Sequence, residues 1–328
     1  MTQRIQVLRP VERPGRRGRR SVLVVLAAAA AAAAAAVSFV VWQRYTNSDS
    51  VSTSAASQHH VTLHTQSKPL EPLVVGPPLV RRSLKPPVGA RAAIVIDAAT
   101  GRVVYALHSH RRLPIASTTK VMTALLVVQR QRLSTIVRIG PAVPRVPLIK
   151  EGLRFGEQVP VRKLLYGLLL YSGNDDALAL AIATGGSRSV FVQLMNAKAK
   201  SLGLRDTHFR SPSGVIDEDN YSSASDLAAL TRVALRNAIF RRIVRTREKT
   251  VSWPPPTFAK TYVNKNKLLG RYAGAIGVKT GWTTKAGHCL VAAARRHGVT
   301  LVAVLLHDPN PYPDARRLLD LGFRHAGH

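Results

Sequence analysis

With 328 residues, 46% of them hydrophobic, the chain is long enough for one large domain plus appendages. A formal charge of +31 first suggests a polyanionic partner, but the basic residues are scattered, only 5% of residues are aromatic and no nucleic-acid module is recognisable, so nucleic acid is not expected as a partner. The single Cys289 excludes an internal disulfide, so a packed core has to hold the fold.

Residues 1–21 form a basic N-terminus in which Arg16, Arg17, Arg19 and Arg20 precede an apolar stretch, 22–42, running from Val22 to Trp42. About twenty uncharged, mostly apolar residues suffice to cross a bilayer as a helix. The positive flank stays inside, so everything after Trp42 is expected outside the cell membrane as a single-pass protein. Secretion after signal cleavage is the alternative, because the alanine tract offers small-residue sites throughout. Against cleavage, the apolar run continues through Val37-Ser38-Phe39-Val40-Val41, where a signal peptide would turn polar. Residues 43–89 are rich in Ser, Thr, Gln and His and then in Pro, which reads as a disordered, extracytoplasmic, Pro-rich linker. His59, His60 and His64 belong to that polar tract and are not assigned to a metal; no metal or cofactor is expected.

Order is expected from Ala90 to the end, 90–328. "RAAIVID" and "RVVYALH" flank an Asp/Gly turn and predict a hairpin. "LPIASTTKVMTALLVVQ" predicts a helix beginning near Ala116-Ser117, and the stretch holding Pro141, Pro144 and Pro147 cannot be regular helix. "VRKLLYGLLLY" predicts a helix that stops at Ser172-Gly173-Asn174. Helix resumes in "DDALALAIA", with Asp175 or Asp176 suited to its first turn. "SVFVQLMNAKAKSLGL" is amphipathic, and Ser223-x-x-Asp226 resembles a capping box opening a further helix. "AIGVKTGWT", "HCLVAAARRHGVTLVAVLLHD" and "DARRLLDLGF" read as strand, hairpin and closing helix, with Cys289 a buried small hydrophobe. Strands at both ends with helices between them predict an α+β fold, an antiparallel sheet flanked by a helical subdomain.

Three small polar knots interrupt these apolar elements. Ser117 alone reads as a helix N-cap. Lys120, three residues on, is awkward there, since a first-turn cation opposes the helix dipole, yet it shares a face with Ser117 and can touch it. A desolvated lysine can take a serine proton. Ser172-Gly173-Asn174 alone is ordinary loop chemistry, and Lys279-Thr280-Gly281 alone is the end of a strand. In the order Ser-x-x-Lys, Ser-x-Asn, Lys-Thr-Gly they match the signature of penicillin-recognising serine enzymes.

The segments "LPIASTTKVMTALLVV", "LLYGLLLYSGNDDALALA", "FVQLMNAKAKSLGLRDTHFRSPSG", "YSSASDLAAL" and "GVKTGWTTKAGHCLVAAARRHG" resemble the D-alanyl-D-alanine carboxypeptidases, low-molecular-mass penicillin-binding proteins of the S11 serine peptidase family. The resemblance covers residues 90 to 325 and implies a β-lactamase/transpeptidase-like fold. It implies Ser117 as nucleophile, Lys120 as base and Ser172 as proton relay. Asn174, Lys279, Thr280 and Gly281 are implied to bind substrate, Gly281 by leaving room for an extended peptide along its strand. The backbone N–H groups of Ser117 and Trp282 are implied as the oxyanion hole. The implied substrate is a peptidoglycan stem peptide ending in D-Ala-D-Ala, with β-lactams as covalent inhibitors. A D,D-endopeptidase cutting cross-links, or a β-lactam sensor without turnover, would use the same residues. Asp176 and Lys163 stand where alanine and an acidic residue are more usual, and both read as surface changes. Glu151 and Glu157 precede the second knot outside any matching motif and receive no role.

Overall fold

The computed structural model describes residues 88–215, 219–252 and 259–326. The basic N-terminus, the membrane segment, the three linker histidines and the linker itself up to residue 87 lie outside the described residues.

Two apolar runs near the start form β1 (Ala92–Asp97) and β2 (Val103–Leu107). Short strands follow: β3 (Leu113–Pro114), β4 (Ile136–Arg138), β5 (Gln158–Pro160), β6 (Tyr221–Ser222), β7 (Glu248–Val251) and β8 (Lys260–Val263). The C-terminal part supplies β9 (Ala275–Thr283), β10 (Gly287–Arg296) and β11 (Val299–Leu306). The main sheet is antiparallel in the order β2-β1-β11-β10-β9, so the two ends of the domain meet at the β1–β11 pairing, where Ala92 faces Leu306. This is the α+β sheet expected from strands at both ends.

Both faces of this sheet are covered, which explains why its strands read as nearly continuous apolar runs. Along β1, Ala92, Ile94 and Ile96 enter one core, while Ala93 and Val95 enter a second. Along β11, Val302 and Val304 join the first core, and Leu301, Ala303 and Leu305 the second. The period of two thus distributes one strand between two layers.

The first layer holds six helices: α1 (Lys120–Arg130), α2 (Val161–Tyr166), α3 (Asn174–Gly185), α4 (Arg188–Ser201), α5 (Ala224–Arg236) and α6 (Ala238–Arg245). The second face is covered by α7 (Pro311–Ala326). Every residue of α1 from Lys120 to Val128 is buried, so this helix is central, apolar all round as its sequence suggests. The expected capping box is half made. Ser223 Oγ accepts the Asp226 N–H at 3.1 Å, but the Asp226 carboxylate turns away to the Asp206 N–H and the Thr207 hydroxyl. Among the described residues no single helix is long and apolar enough to cross a membrane.

Candidate active site

Ser117 does not cap a helix. It lies inside a single 3-10 turn, Ala116–Thr119, and α1 starts only at Lys120, with no side-chain cap. The hydroxyl that folds back on this turn is Thr118 Oγ1, donating to Ile115 O at 2.6 Å. Ala116 adopts φ +45°, an uncommon conformation for a residue with a Cβ, and it turns the chain sharply before Ser117. Gly214 packs against this corner at φ +73°, and a Cβ there would come within 2.0 Å of Ala116 O. The Ser117 hydroxyl is left facing Lys120 Nζ, 2.9 Å away.

Lys120 is fully buried, and its amine joins two knots that are distant in sequence. It donates to Asn174 Oδ1 at 2.8 Å and lies 3.4 Å from Ser172 Oγ. The second knot is built by a break in helical geometry. After α2 the chain widens into a π-turn, Gly167–Tyr171, and Ser172 ends it in the left-handed region at φ +75°. Such turns recur at functional sites because they re-aim side chains without ending the helix. The α3 helix then begins at Asn174, whose side-chain amide donates to Pro147 O at 3.1 Å while its backbone N–H donates to Ile149 O at 2.8 Å.

The third knot lies on β9, the sheet edge beside Ser117. Gly281 is the point of contact: a Cβ there would meet Ser117 N at 3.0 Å and Ala116 Cβ at 3.1 Å. The glycine therefore lets the strand press on the Ser117 turn, a contact that the sequence does not reveal. Lys279 is 1% exposed, and its amine donates to Thr280 O at 3.0 Å. Burial, then Lys120, then Lys265 push this amine well below the ordinary lysine range. Trp282 follows on the same edge and is 59% exposed.

Two residues read as surface changes are in the interior. Lys163 and Asp176 are both fully buried, and so is the Glu151 side chain. Lys163 Nζ pairs with Glu151 Oε1, and Tyr262 donates its hydroxyl to Glu151 Oε2 at 2.6 Å. Asp176 packs its carboxylate against Gly167 and Gly173, where any Cβ would collide with it. Burial and the neighbouring Asp175 raise the Asp176 carboxyl well above the usual range, and Lys163 opposes them. Asp175 does more than complement the α3 dipole: its carboxylate accepts the N–H groups of Glu151, Gly152 and Leu153 at 3.0, 2.8 and 3.1 Å. These contacts fasten the 147–153 loop to the second knot. The sequence signal for this clamp was only an acidic pair after Asn174, legible as helix-dipole chemistry. Glu157 accepts the Arg154 N–H at 2.9 Å. Cys289 is buried, its thiol pushed up to about 12 by burial, in keeping with a packing role.

The arrangement therefore offers a hydroxyl against a buried amine, a second hydroxyl and an amide on one wall, and an edge strand on the other. That is the equipment of acyl transfer through a covalent intermediate. Residues 80–310 match the family described as D-alanyl-D-alanine carboxypeptidase. The D-alanyl-D-alanine carboxypeptidase DacF of Bacillus subtilis is 35% identical over 243 residues, 71% of this chain and 62% of that protein. A D-alanyl-D-alanine endopeptidase of Escherichia coli is 33% identical over 211 residues, 63% of this chain and 67% of that one. The crystal structure of the Streptomyces K15 DD-transpeptidase superposes with a TM-score of 0.70 at 35% identity, covering 73% of this chain and 99% of that one.

Proposed function

Because the chain belongs to the D-alanyl-D-alanine carboxypeptidase family of serine peptidases, we propose that it removes the terminal D-alanine from peptidoglycan stem pentapeptides through an acyl-enzyme on Ser117. The observation that carries this reading is the buried Lys120 amine, 2.9 Å from Ser117 Oγ and bonded to Asn174. In its neutral form Lys120 accepts the Ser117 proton as Oγ attacks the carbonyl carbon of the penultimate D-alanine. The N–H groups of Ser117 and Trp282 receive the oxyanion. Collapse breaks the C–N bond, and the proton passes by way of Ser172 to the departing amine of D-alanine. Water then attacks the ester, Lys120 takes its proton, and Ser117 Oγ leaves with a proton restored.

Lys279 and Thr280 hold the terminal carboxylate in this scheme. Burial, with Lys120 and Lys265 adding to it, disfavours the Lys279 charge. An arriving carboxylate offsets that cost and restores the Lys279 charge where it is needed. Binding energy is thus tied to the presence of a free chain terminus or an equivalent carboxylate. A β-lactam carries a carboxylate beside its reactive amide and acylates the same hydroxyl.

The relatives bear the names carboxypeptidase, endopeptidase and transpeptidase at similar identity, so the leaving group has to be determined directly. The chain is incubated with a D-Ala-D-Ala pentapeptide and with a cross-linked dimer, and products are read by mass. Release of free D-alanine is expected from the pentapeptide. Cleavage of the dimer alone replaces the proposal with the endopeptidase reading, and stable acylation without release replaces it with a sensor. Fluorescent penicillin is expected to label the parent and not Ser117→Ala; full labelling of that variant defeats the assignment of the nucleophile.

A further inference from the structure

At the end of the sheet away from the Gly281 contact, a cleft of about 690 Å³ opens between the strand ends and the α5–α6 pair. Five arginines line it: Arg232, Arg236, Arg241, Arg245 and Arg295. Among the described residues no lysine, aspartate or glutamate lines it. The five come from three places in the chain. Arg232 and Arg236 are one helical turn apart on α5, Arg241 and Arg245 one turn apart on α6, and Arg295 is the penultimate residue of β10. From Ile276 in this cleft to Gly281 at the nucleophile, five residues of β9 span about 17 Å at the usual strand rise.

Two of the guanidinium groups are fixed parts of the wall. Arg232 is 6% exposed and donates from Nε to Ala98 O at 2.9 Å and from Nη2 to Ala99 O at 2.8 Å. Arg241 donates to Leu235 O at 2.7 Å. Arg236, Arg245 and Arg295 are exposed, and none makes an ion pair among the described residues. Asp97, next to Ala98, has its Oδ1 engaged by the N–H groups of Ala99 and Thr100. Arg296, the neighbour of Arg295, does pair with Asp320 and stacks on Tyr272, so the contrast lies within one strand end.

Helix dipoles favour a cation in the last turn, which accounts for Arg236 and Arg245 singly. They do not account for Arg295 on a strand, nor for like charges one turn apart on two adjoining helices, which repel. Anions in the cleft relieve that repulsion. Arginine is the cation whose planar fork meets phosphate oxygens in pairs. A single phosphate engages one or two such forks, whereas five spread around an open cleft need a ligand with several charges. Leu235, Ala275 and Ile276 on the floor suit the apolar links between those charges. We infer that this cleft is a binding site for a segment of a linear, phosphate-bearing polyanion, separate from the peptidase site.

The test uses the full-length chain in non-ionic detergent and follows binding of linear polyphosphate across a salt series. The triple variant Arg236→Gln/Arg245→Gln/Arg295→Gln is compared with Arg132→Gln/Arg154→Gln/Arg205→Gln, which carries the same net charge. The cleft variant is expected to bind about tenfold or more weakly than the parent, with a salt slope lower by about three, while the control variant changes little. Penicillin labelling of Ser117 is expected to be unchanged in both, which shows that both are folded. Equal losses in the two variants overturn the site in favour of general surface charge. Arginine-dependent binding of polyglutamate as tight as polyphosphate overturns the phosphate assignment. Binding of short-chain phosphatidylglycerol in place of polyphosphate overturns the polymer in favour of a lipid headgroup, and binding of inorganic phosphate alone overturns it in favour of a small ion.

Discussion

Lys120 and Lys163 are both fully buried, yet their partners differ in kind. The oxygens around Lys120 that belong to Ser117, Ser172 and Asn174 are neutral. Lys163 sits on the Glu151 carboxylate, with Asp176 nearby. Burial lowers the Lys163 amine to about 8 although Asp176 favours its charge, and its ion pair with Glu151 marks it as part of the packing. Removing one member of a buried ion pair strands the other, typically at a cost of about 3–5 kcal/mol. Lys163→Met is therefore expected to lower the urea midpoint strongly, and adding Glu151→Gln to recover most of the loss. Equal midpoints for the single and double variants would remove the pair from the account. In sequence, a charged residue is placed outside by default. Only packing of α2 on α3 and β8 shows that Lys163 and Asp176 have no outside to reach.

At the scale of elements, β9 does two things: it closes the sheet edge, and it presents Gly281 to the Ser117 turn. Its strand character was legible from "AIGVKTGWT", whereas its edge position followed only from the family resemblance, because edge or centre depends on which strand pairs with which. The hairpins β4–β5 and β7–β8 were missed for a different reason: at three or four residues per strand, mostly exposed, they lack a period to detect. The junction of β11 and α7 carries a pH-dependent element. Asp308 Oδ1 accepts the Asn310 N–H, and burial, aided by Asp314, raises the Asp308 carboxyl to about 6. Between its ordinary value of 3.8 and about 6 the folded chain holds more protons on this group than the unfolded chain does. Its stabilising contribution is present at low pH and is lost as pH rises through that window. Asp308→Asn should flatten the fall in Tm between about pH 4 and 6 relative to the parent; an unaltered fall places the pH dependence elsewhere.

Across the whole molecule, the chain returns to its starting strand. β1 pairs with β11, which lies about two hundred residues later, and this closure brings Ser117, Asn174 and Gly281 into one cleft. Residues 22–42 are proposed as a retained membrane anchor and 43–89 as the tether beyond it. Intact mass of the native protein from membranes should include the N-terminal segment; a mature form beginning after the alanine tract would instead establish cleavage. The sequence by itself determined the α+β layering and the three polar knots, because apolar periodicity and turn chemistry are written over a few residues. It also pointed to the family through the order of those knots. Tertiary structure alone decided which charges are desolvated, which glycine touches Ser117, and that arginines from two helices and a strand share one cleft. Those outcomes depend on neighbours far apart in the chain, and burial is a property of the packed whole that no local pattern records.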